Sequence, residues 1–168
     1  TNAILDASGG TTTSINGFTP TVSNMAGRNY IINGGFNVWQ RGTTGTGNGY
    51  ISADRWVSNA YTSGGTISLS KQTNAAGQNF TEYGRFEQSV AGPINDMQAL
   101  YQVIEGVYLV GKTVTVSFTA RASKTLTTCR VREIFTQQAF TIGTDWHRFT
   151  FTGTCVESSG NVRLNIDF

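Results

Sequence analysis

The sequence predicts an all-β domain of the sandwich or barrel type, and three observations support that prediction. Thr (25), Gly (20), Ser (13) and Asn (13) dominate the 168 residues, and these types favour pleated strands and tight turns over helices. Only 13% of the residues are charged, about half the usual share. Helices stabilised by ion pairs between side chains one turn apart are therefore not expected. Short segments with period-two alternation recur along the chain, with turn residues between them.

The chain divides at about residue 28. Residues 1–27 carry few large apolar side chains and cannot enclose a core, so we predict an extended leader or stalk segment. That segment is either disordered in a monomer or ordered by contact with other copies, because Ile15 and Phe18 need a partner surface. Residues 28–168 are long enough to bury a core without metals or disulfides, and we predict that they form the sandwich.

The first half of this domain contains strand-like segments separated by loops. A tight turn or bulge is predicted at Asn33, which two glycines follow. Residues 42–49 and 72–84 are predicted to be loops, because they are rich in small and polar residues. Strands are predicted over 28–39, 50–57, 67–71, 85–90 and 99–105.

The second half shows clearer alternation, and one side of each segment is apolar. In the 129–135 segment, Glu133 is predicted to share a face with Val131, either paired with an arginine or facing solvent at an edge. Two segments, 92–98 and 106–112, are predicted to hold at most a helical turn. One face of these segments is formed by Val114, Val116, Phe118 and Ala120, by His147, Phe149 and Phe151, and by Val162, Leu164, Ile166 and Phe168.

Charge and hydropathy exclude several functional classes. The net charge of +2 is small and scattered, which does not fit a nucleic-acid groove. No run of about 18 apolar residues is present, so membrane insertion is not expected. The N-terminus lacks a basic region followed by an apolar one, so no secretion signal is visible.

Motifs for catalysis are missing, and we expect a non-enzymatic protein without a cofactor. The sole histidine is His147, which lies in a predicted strand, and a serine triad would have to use it. No nucleophile elbow, phosphate loop, dinucleotide motif or EF-hand loop appears. No pair of the ten acidic residues is marked by the sequence as glycosidase carboxylates.

The two cysteines, Cys129 and Cys155, lack the spacing of a zinc site. They are either two small buried apolar residues or a disulfide.

A structural calcium ion is the one metal the sequence suggests, because calcium takes carboxylate and carbonyl oxygens. Asn33 and Asp167 would meet if the first and last strands paired. In the alternative interpretation Asn33 caps a turn, and Asp54 forms an ion pair with Arg55 or Arg28.

Candidate glycan contacts are exposed aromatic rings near amide groups. Tyr50, Tyr61 and Tyr83 lie in or near predicted loops. The three tryptophans lie in apolar strand contexts and are predicted to be core: Trp39, Trp56 and Trp146. A basic patch for acidic polysaccharide is predicted from Arg130, Arg132 and Arg163, unless their face is simply solvated.

Two sets of motifs resemble known families. Arg28-Asn29 with Ile31–Gly34, then Gln40–Gly42, then Asp54–Trp56 resemble the distal region of tailed-bacteriophage tail fibres. The segments 111–123, 140–154 and 160–168 are similar to jelly-roll carbohydrate-binding modules, in which a strand with the spacing of Trp146, Arg148 and Phe151 packs in the core. The calcium-binding relatives often carry an acid where this chain has Asn37.

The resemblance implies a jelly-roll β-sandwich in a virion tail fibre, assembled in the cytoplasm of the host bacterium and homotrimeric. Host surface polysaccharide or lipopolysaccharide and other virion tail proteins are the implied partners. The jelly-roll pattern usually continues beyond the position of Phe168, so the resemblance implies either a fragment or a domain shortened at that end. An unpaired strand there would invite pairing with another chain.

Three functions follow as hypotheses. The first is an adhesion module whose loops bind bacterial surface glycan, with trimer avidity raising a weak single-site affinity. The second is a structural virion component whose jelly roll contacts other virion proteins. The third is a polysaccharide depolymerase, which needs a carboxylate pair in a groove, within one subunit or between subunits.

Overall fold

The computed structural model describes residues 29–60, 65–73, 79–90, 98–104, 109–156 and 160–168, with only the backbone given for residues 89 and 90. The predicted leader, residues 1–27, lies outside this part of the chain, as do Arg28 and residues 92–97. The described residues contain ten strands: β1 (Thr44–Thr46), β2 (Val57–Ala60), β3 (Thr66–Thr73), β4 (Glu82–Val90), β5 (Gln98–Ile104), β6 (Thr113–Ala120), β7 (Leu126–Arg132), β8 (Gln138–Ile142), β9 (His147–Thr154) and β10 (Val162–Asp167).

The strands form three antiparallel sheets, which confirms the predicted all-β class. Their orders are β1-β3-β4, β2-β5-β10-β7-β8 and β6-β9. An isolated bridge between Gly49 and Ser58 links the start of β2 to the loop after β1. No helix in the described residues is long and apolar enough to cross a membrane.

One hydrophobic core joins all three sheets. Leu69 comes from β3, Leu164 and Ile166 from β10, and Val116 from β6, and all four are buried in the same cluster. On the two-stranded sheet the register pairs Val116 with Phe151, and the predicted alternation of β6 and β9 is confirmed. The apolar sides of the three sheets therefore face one another, as burial of alternate residues requires.

The turn predicted at Asn33 is confirmed, but the strand predicted on either side of it is wrong for the described residues 29–39. Residues 32–35 form turns, and Asn33 and Phe36 have positive φ angles of 56° and 54°. Two residues in the left-handed region cannot continue a strand. The buried Gln102 side chain instead pairs with the backbone of Ile32, accepting its N–H at 2.8 Å and donating to its carbonyl at 2.9 Å.

Two further boundaries differ from the predictions. The strand predicted over 50–57 starts only at Val57, and the predicted 42–49 loop contains β1. Gly45 explains the second difference. A Cβ there would lie 2.2 Å from the carbonyl oxygen of Ile51, so only glycine allows this close backbone approach.

The cysteines adopt the first of the two predicted states. Cys129 and Cys155 are free thiols, and both are buried. Burial raises the pKa of each thiol above its ordinary value, so both are neutral packing groups at neutral pH.

Candidate functional site

The side of the five-stranded sheet opposite to the core carries a connected group of polar side chains. β10 lies between β5 and β7, and its register places Arg130 beside Asp167, Arg132 beside Asn165 and Arg163 beside Val103. Because side chains alternate along strands, these groups project away from the core. We call this surface the polar face, and its members are Tyr101, Arg130, Arg132, Glu133, Arg163, Asn165 and Asp167.

Glu133 is the centre of the polar face. Its Oε1 accepts hydrogen bonds from Arg132 Nη1 at 3.1 Å and Asn165 Nδ2 at 3.3 Å. Its Oε2 lies 3.2 Å from Arg163 Nη1. The carboxylate therefore holds two of the three predicted arginines in place, and the prediction that it pairs with arginine is confirmed.

The backbone of Glu133 explains how the carboxylate reaches that side. β7 ends at Arg132, and Glu133 has a positive φ of 70°, which is uncommon for a residue other than glycine. The prediction that Glu133 shares a face with Val131 is wrong, because this left-handed residue reverses the alternation. As a result Ile134 enters the core and Glu133 joins the arginines. Backbone strain of this kind concentrates at functional sites.

Asp167 is fully buried within the polar face. Its Oδ2 accepts a hydrogen bond of 2.5 Å from Arg132 Nε, and Arg130 and Glu133 also act on it electrostatically. Burial raises the pKa of Asp167 above its ordinary value, although the pairing with Arg132 and the charge of Arg130 oppose that rise. Desolvation is the larger effect, because the carboxylate has no access to water.

Tyr101 adds an aromatic ring to this surface. The Arg163 guanidinium lies 4.8 Å from the ring centroid, within the range of a cation–π contact. The sequence analysis did not select Tyr101, which lies between the buried Leu100 and Gln102 and therefore on the opposite side of β5. Within the described residues, Arg163 Nε and Asp167 Oδ1 are buried and have no hydrogen-bond partner.

The predicted tyrosines do not come together with the arginines. Tyr50 is half exposed, and the Arg41 guanidinium lies 5.7 Å from its ring centroid. Tyr83 lies on β4 in a separate aromatic cluster. Tyr61 lies outside the described residues.

That aromatic cluster contains a tryptophan that was predicted to be core. Trp146 is only half-buried, and it contacts Tyr83 and Phe80 edge to face at 5.2 and 5.0 Å between ring centroids. The Arg121 guanidinium lies 5.1 Å from the Trp146 ring. The prediction for Trp56 is confirmed, since that residue is buried, whereas Trp39 is partly buried against the core.

Asn33 uses its whole carboxamide to hold a turn. Its oxygen accepts the backbone N–H groups of Asn37 and Val38, and its Nδ2 donates to the carbonyls of Val38 and Asp54. Trp56 Nε1 donates to the Asn33 carbonyl at 3.0 Å. The sequence analysis left two roles open for Asn33, a calcium ligand or the cap of a turn, and these hydrogen bonds correspond to the cap.

Asp54 completes the same unit. Its carboxylate accepts the Gln40 N–H at 2.7 Å and pairs with Arg41 at 3.0 Å. Arg41 is a partner that the sequence analysis did not select, and the turn brings 40–42 beside Asp54. Of the two predicted partners, Arg28 lies outside the described residues. We call this unit, built from Asn33, Gln40, Arg41, Asp54 and Trp56, the motif junction.

The premise for a calcium site at Asn33 and Asp167 is not met. β10 pairs with β5 and β7, and Asn33 lies in a turn rather than in a strand beside it. Among the described residues, no group of three or more His, Cys, Asp or Glu side chains is placed to hold a metal ion. His147 is exposed and contacts Phe149 edge to face at 4.9 Å.

The comparisons with known proteins add no assignment. No protein-family model matches the chain, and no curated protein sequence matches it.

Proposed function

We propose that this protein is a non-enzymatic adhesion module of a phage tail fibre that binds bacterial surface glycan through the polar face. The observation that carries the proposal is the convergence of three arginines and a tyrosine on adjacent strands. The buried Asn165 and Asp167, together with Glu133, hold this group in place. Arginine and carboxylate groups offer donors and acceptors that match sugar hydroxyls and acids. Strands hold such groups more rigidly than loops do.

The charge of the polar face selects the kind of glycan. Arg130, Arg132 and Arg163 carry three positive charges against the two acids Glu133 and Asp167. The raised pKa of Asp167 reduces the opposing charge further as the pH falls. A surface with net positive charge and three partly buried arginines favours an acidic polysaccharide. The carboxylates or phosphates of such a glycan accept paired hydrogen bonds from guanidinium groups.

A jelly roll is the finer fold that we propose. The Gly49–Ser58 bridge connects the β1 region to β2, and Gln138 Nε2 of β8 donates to the Thr152 carbonyl of β9 at 3.2 Å. The sheets thus approach one another at two corners around a shared core. Such wrapping of antiparallel sheets is typical of double-sheet jelly rolls.

The tail-fibre part of the proposal is supported by the motif junction. The residues that resemble tail-fibre motifs are far apart in sequence, yet Asn33, Gln40 and Asp54 share one hydrogen-bonded unit. A motif set that builds one local structure is a better sign of relationship than scattered identities. A location in the virion, as a homotrimer, is therefore part of the proposal and rests on this resemblance.

The test is binding of purified labelled protein to intact bacterial cells, before and after surface polysaccharide is stripped. We expect saturable binding that is lost on stripping. Arg130→Ala should weaken it about tenfold or more, because loss of one charged contact removes about 1.5–3 kcal/mol. No binding by folded protein across a wide strain panel would refute the adhesion function.

Arg85→Ala is the matched control. Arg85 lies on β4, is more than half exposed and forms an ion pair with Glu87, so the variant makes the same charge change on another sheet. It should bind cells like the wild type. Equal losses in both variants would show a general charge effect rather than a site on the polar face.

A structural virion role is the second candidate, and exposed apolar residues favour it. Ile32, Val38 and Tyr50 are 52%, 45% and 50% exposed and surround the motif junction. Apolar patches of this kind mark protein contacts. Binding to purified tail proteins that is lost in Ile32→Ser, with cell binding absent, would select this role.

A further inference from the structure

We propose that the polar face takes up a proton at Asp167 when it binds the acidic group of a glycan, so that its affinity rises as the pH falls. The inference rests on the proposed function, because it concerns the regulation of the same site. Three features of β7 and β10 carry it: the open guanidinium of Arg130, the position of Asp167 opposite it, and the complete burial of Asp167.

Arg130 is the arginine of the polar face that remains open to a ligand. Arg132 donates hydrogen bonds to Asp167 and Glu133, and Arg163 pairs with Glu133. Arg130, by contrast, is partly exposed. In the described part of the chain, no hydrogen bond or ion pair joins its guanidinium to another residue. Its N–H donors are therefore available to a bound molecule.

The residue beside Arg130 on β8 leaves the guanidinium accessible. Its register partner there is Ala139, an exposed residue whose methyl group is too short to cover a guanidinium. A guanidinium presents its N–H donors in a planar fork that fits two oxygens of one anionic group. We therefore place the acidic group of the glycan at Arg130.

Asp167 lies on the other side of Arg130. The two are register partners on β10 and β7, and the Cβ atoms of such partners are about 4.5–5.5 Å apart. Arg130 already acts electrostatically on the Asp167 carboxylate. An anion held by Arg130 would therefore meet a second negative charge at short range, and this repulsion is strong because water does not reach Asp167.

Burial makes Asp167 the group that accepts the proton. Its side chain is fully buried, and among the described residues its Oδ1 has no hydrogen-bond partner, so its charged form is costly. Burial already raises the pKa of Asp167, and a neighbouring anion raises a carboxyl pKa further. Proton uptake removes the repulsion without moving the strand.

The groups around Asp167 leave this proton uptake to Asp167 itself. Its β5 partner is the uncharged Ala99. Glu133 acts on it electrostatically, but that carboxylate is held by two arginines. The Cys129 thiol is also close enough to interact with Asp167, and burial raises the thiol pKa, so it is neutral in the acidic range. Arg130 and Arg132 keep their charge throughout.

Proton uptake and anion binding strengthen each other. If a bound anion raises the proton affinity of Asp167, protonation raises the affinity for the anion by the same factor. Affinity should be low and constant at high pH, and it should rise as the pH falls through the interval between the bound-state and free-state pKa of Asp167. Below that interval it should level off. One proton limits the slope to about tenfold per pH unit.

The test is isothermal titration calorimetry of the full chain with a dextran sulfate oligosaccharide, between about pH 7 and about pH 4. Sulfate keeps its charge over this range, so the dependence comes from the protein. We expect the wild type to bind about fivefold tighter, or more, at the lower pH. Two buffers of different ionisation enthalpy should reveal proton uptake on binding, which needs no variant.

Asp167→Asn identifies the proton acceptor. Asparagine is permanently neutral, so the variant should bind more tightly than the wild type at about pH 7, and its affinity should change less with pH. Protonation of other carboxylates affects both proteins, and the difference between their profiles isolates Asp167.

His147→Gln is the matched control. His147 is the single histidine of the chain and is exposed on β9, and histidine ordinarily titrates in this range. This variant should keep the wild-type profile. Equal profiles for wild type and Asp167→Asn, or no proton uptake by the wild type, would overturn the inference while glycan binding remains. Absence of binding to both dextran sulfate and bacterial cells at every pH would refute the proposed function, and the inference with it.

Discussion

At the residue scale, one backbone angle sets the position of the Glu133 carboxylate, whereas burial sets the environment of the Asp167 carboxylate. Glu133 reaches the arginines through its positive φ. Asp167 lies opposite Arg130 of β7 in the strand register, and it accepts a hydrogen bond from Arg132, two residues further along β7. Neither feature is visible in alternation alone, which assigned Glu133 to the wrong side.

Asp167 makes stability depend on pH in a direction opposite to that of an ordinary ion-paired carboxylate. Because its folded pKa is raised, the folded state binds more protons than the unfolded state between the ordinary pKa of 3.8 and the raised value. The contribution of Asp167 to unfolding free energy therefore increases as pH falls through that window, and decreases as pH rises through it.

We expect Asp167→Asn to remove this dependence. Urea unfolding between pH 4 and about 7 should show wild type gaining stability relative to the variant as the pH is lowered. Asparagine has nearly the same shape as aspartate but no titratable group. The pH dependence of the difference between wild type and variant therefore reports the titration of Asp167 alone. A difference that is constant with pH, or that reverses, would contradict the raised pKa.

At the element scale, the motif junction takes the place of the strand predicted over 28–39. The Asn33 side chain makes four hydrogen bonds to backbone groups, and its φ of 56° suits asparagine better than most residues. A turn stabilised this strongly by one side chain outweighs the β preference of the surrounding isoleucines.

We expect Asn33→Ala to lower the unfolding free energy by about 2–4 kcal/mol, because it loses these bonds and places alanine at positive φ. Asn33→Gly should cost less, since glycine accepts the backbone angle. Asn37→Ala, at an exposed neighbour, is the control and should change little. Denaturant titration measures all three; equal effects of alanine and glycine would show that the backbone angle contributes nothing.

At the scale of the whole molecule, Phe36 connects the N-terminal turn with two sheets. Its ring stacks on Trp56 at 5.2 Å between centroids, and its Cδ1 lies 2.7 Å from the position of a Cβ on Gly84. Trp56 precedes β2 of the five-stranded sheet, while Gly84 belongs to β4. Phe36 thus fills the space between sheets that share one core.

Phe36→Ala is therefore expected to destabilise the entire domain by about 2–4 kcal/mol, somewhat less than a fully buried phenylalanine. Near-UV and far-UV circular dichroism should report one common transition, at a lower temperature than in the wild type, because a single core unfolds as a unit. Phe80→Ala, in the separate aromatic cluster, should have a smaller effect. Separate transitions for the two signals would show that the sheets unfold independently.

The sequence by itself determined the all-β class, the inward faces of β6 and β9, and the position of the turn at Asn33. These follow from residue periodicity and turn chemistry, which are local properties of the chain. Only the tertiary structure decided which strands are neighbours, that Glu133 turns towards the arginines, and that Tyr101 joins the polar face while Tyr50 and Tyr83 lie elsewhere. The reason is physical: strand pairing and burial depend on contacts between residues far apart in sequence, and alternation gives the side of a strand without naming its neighbour.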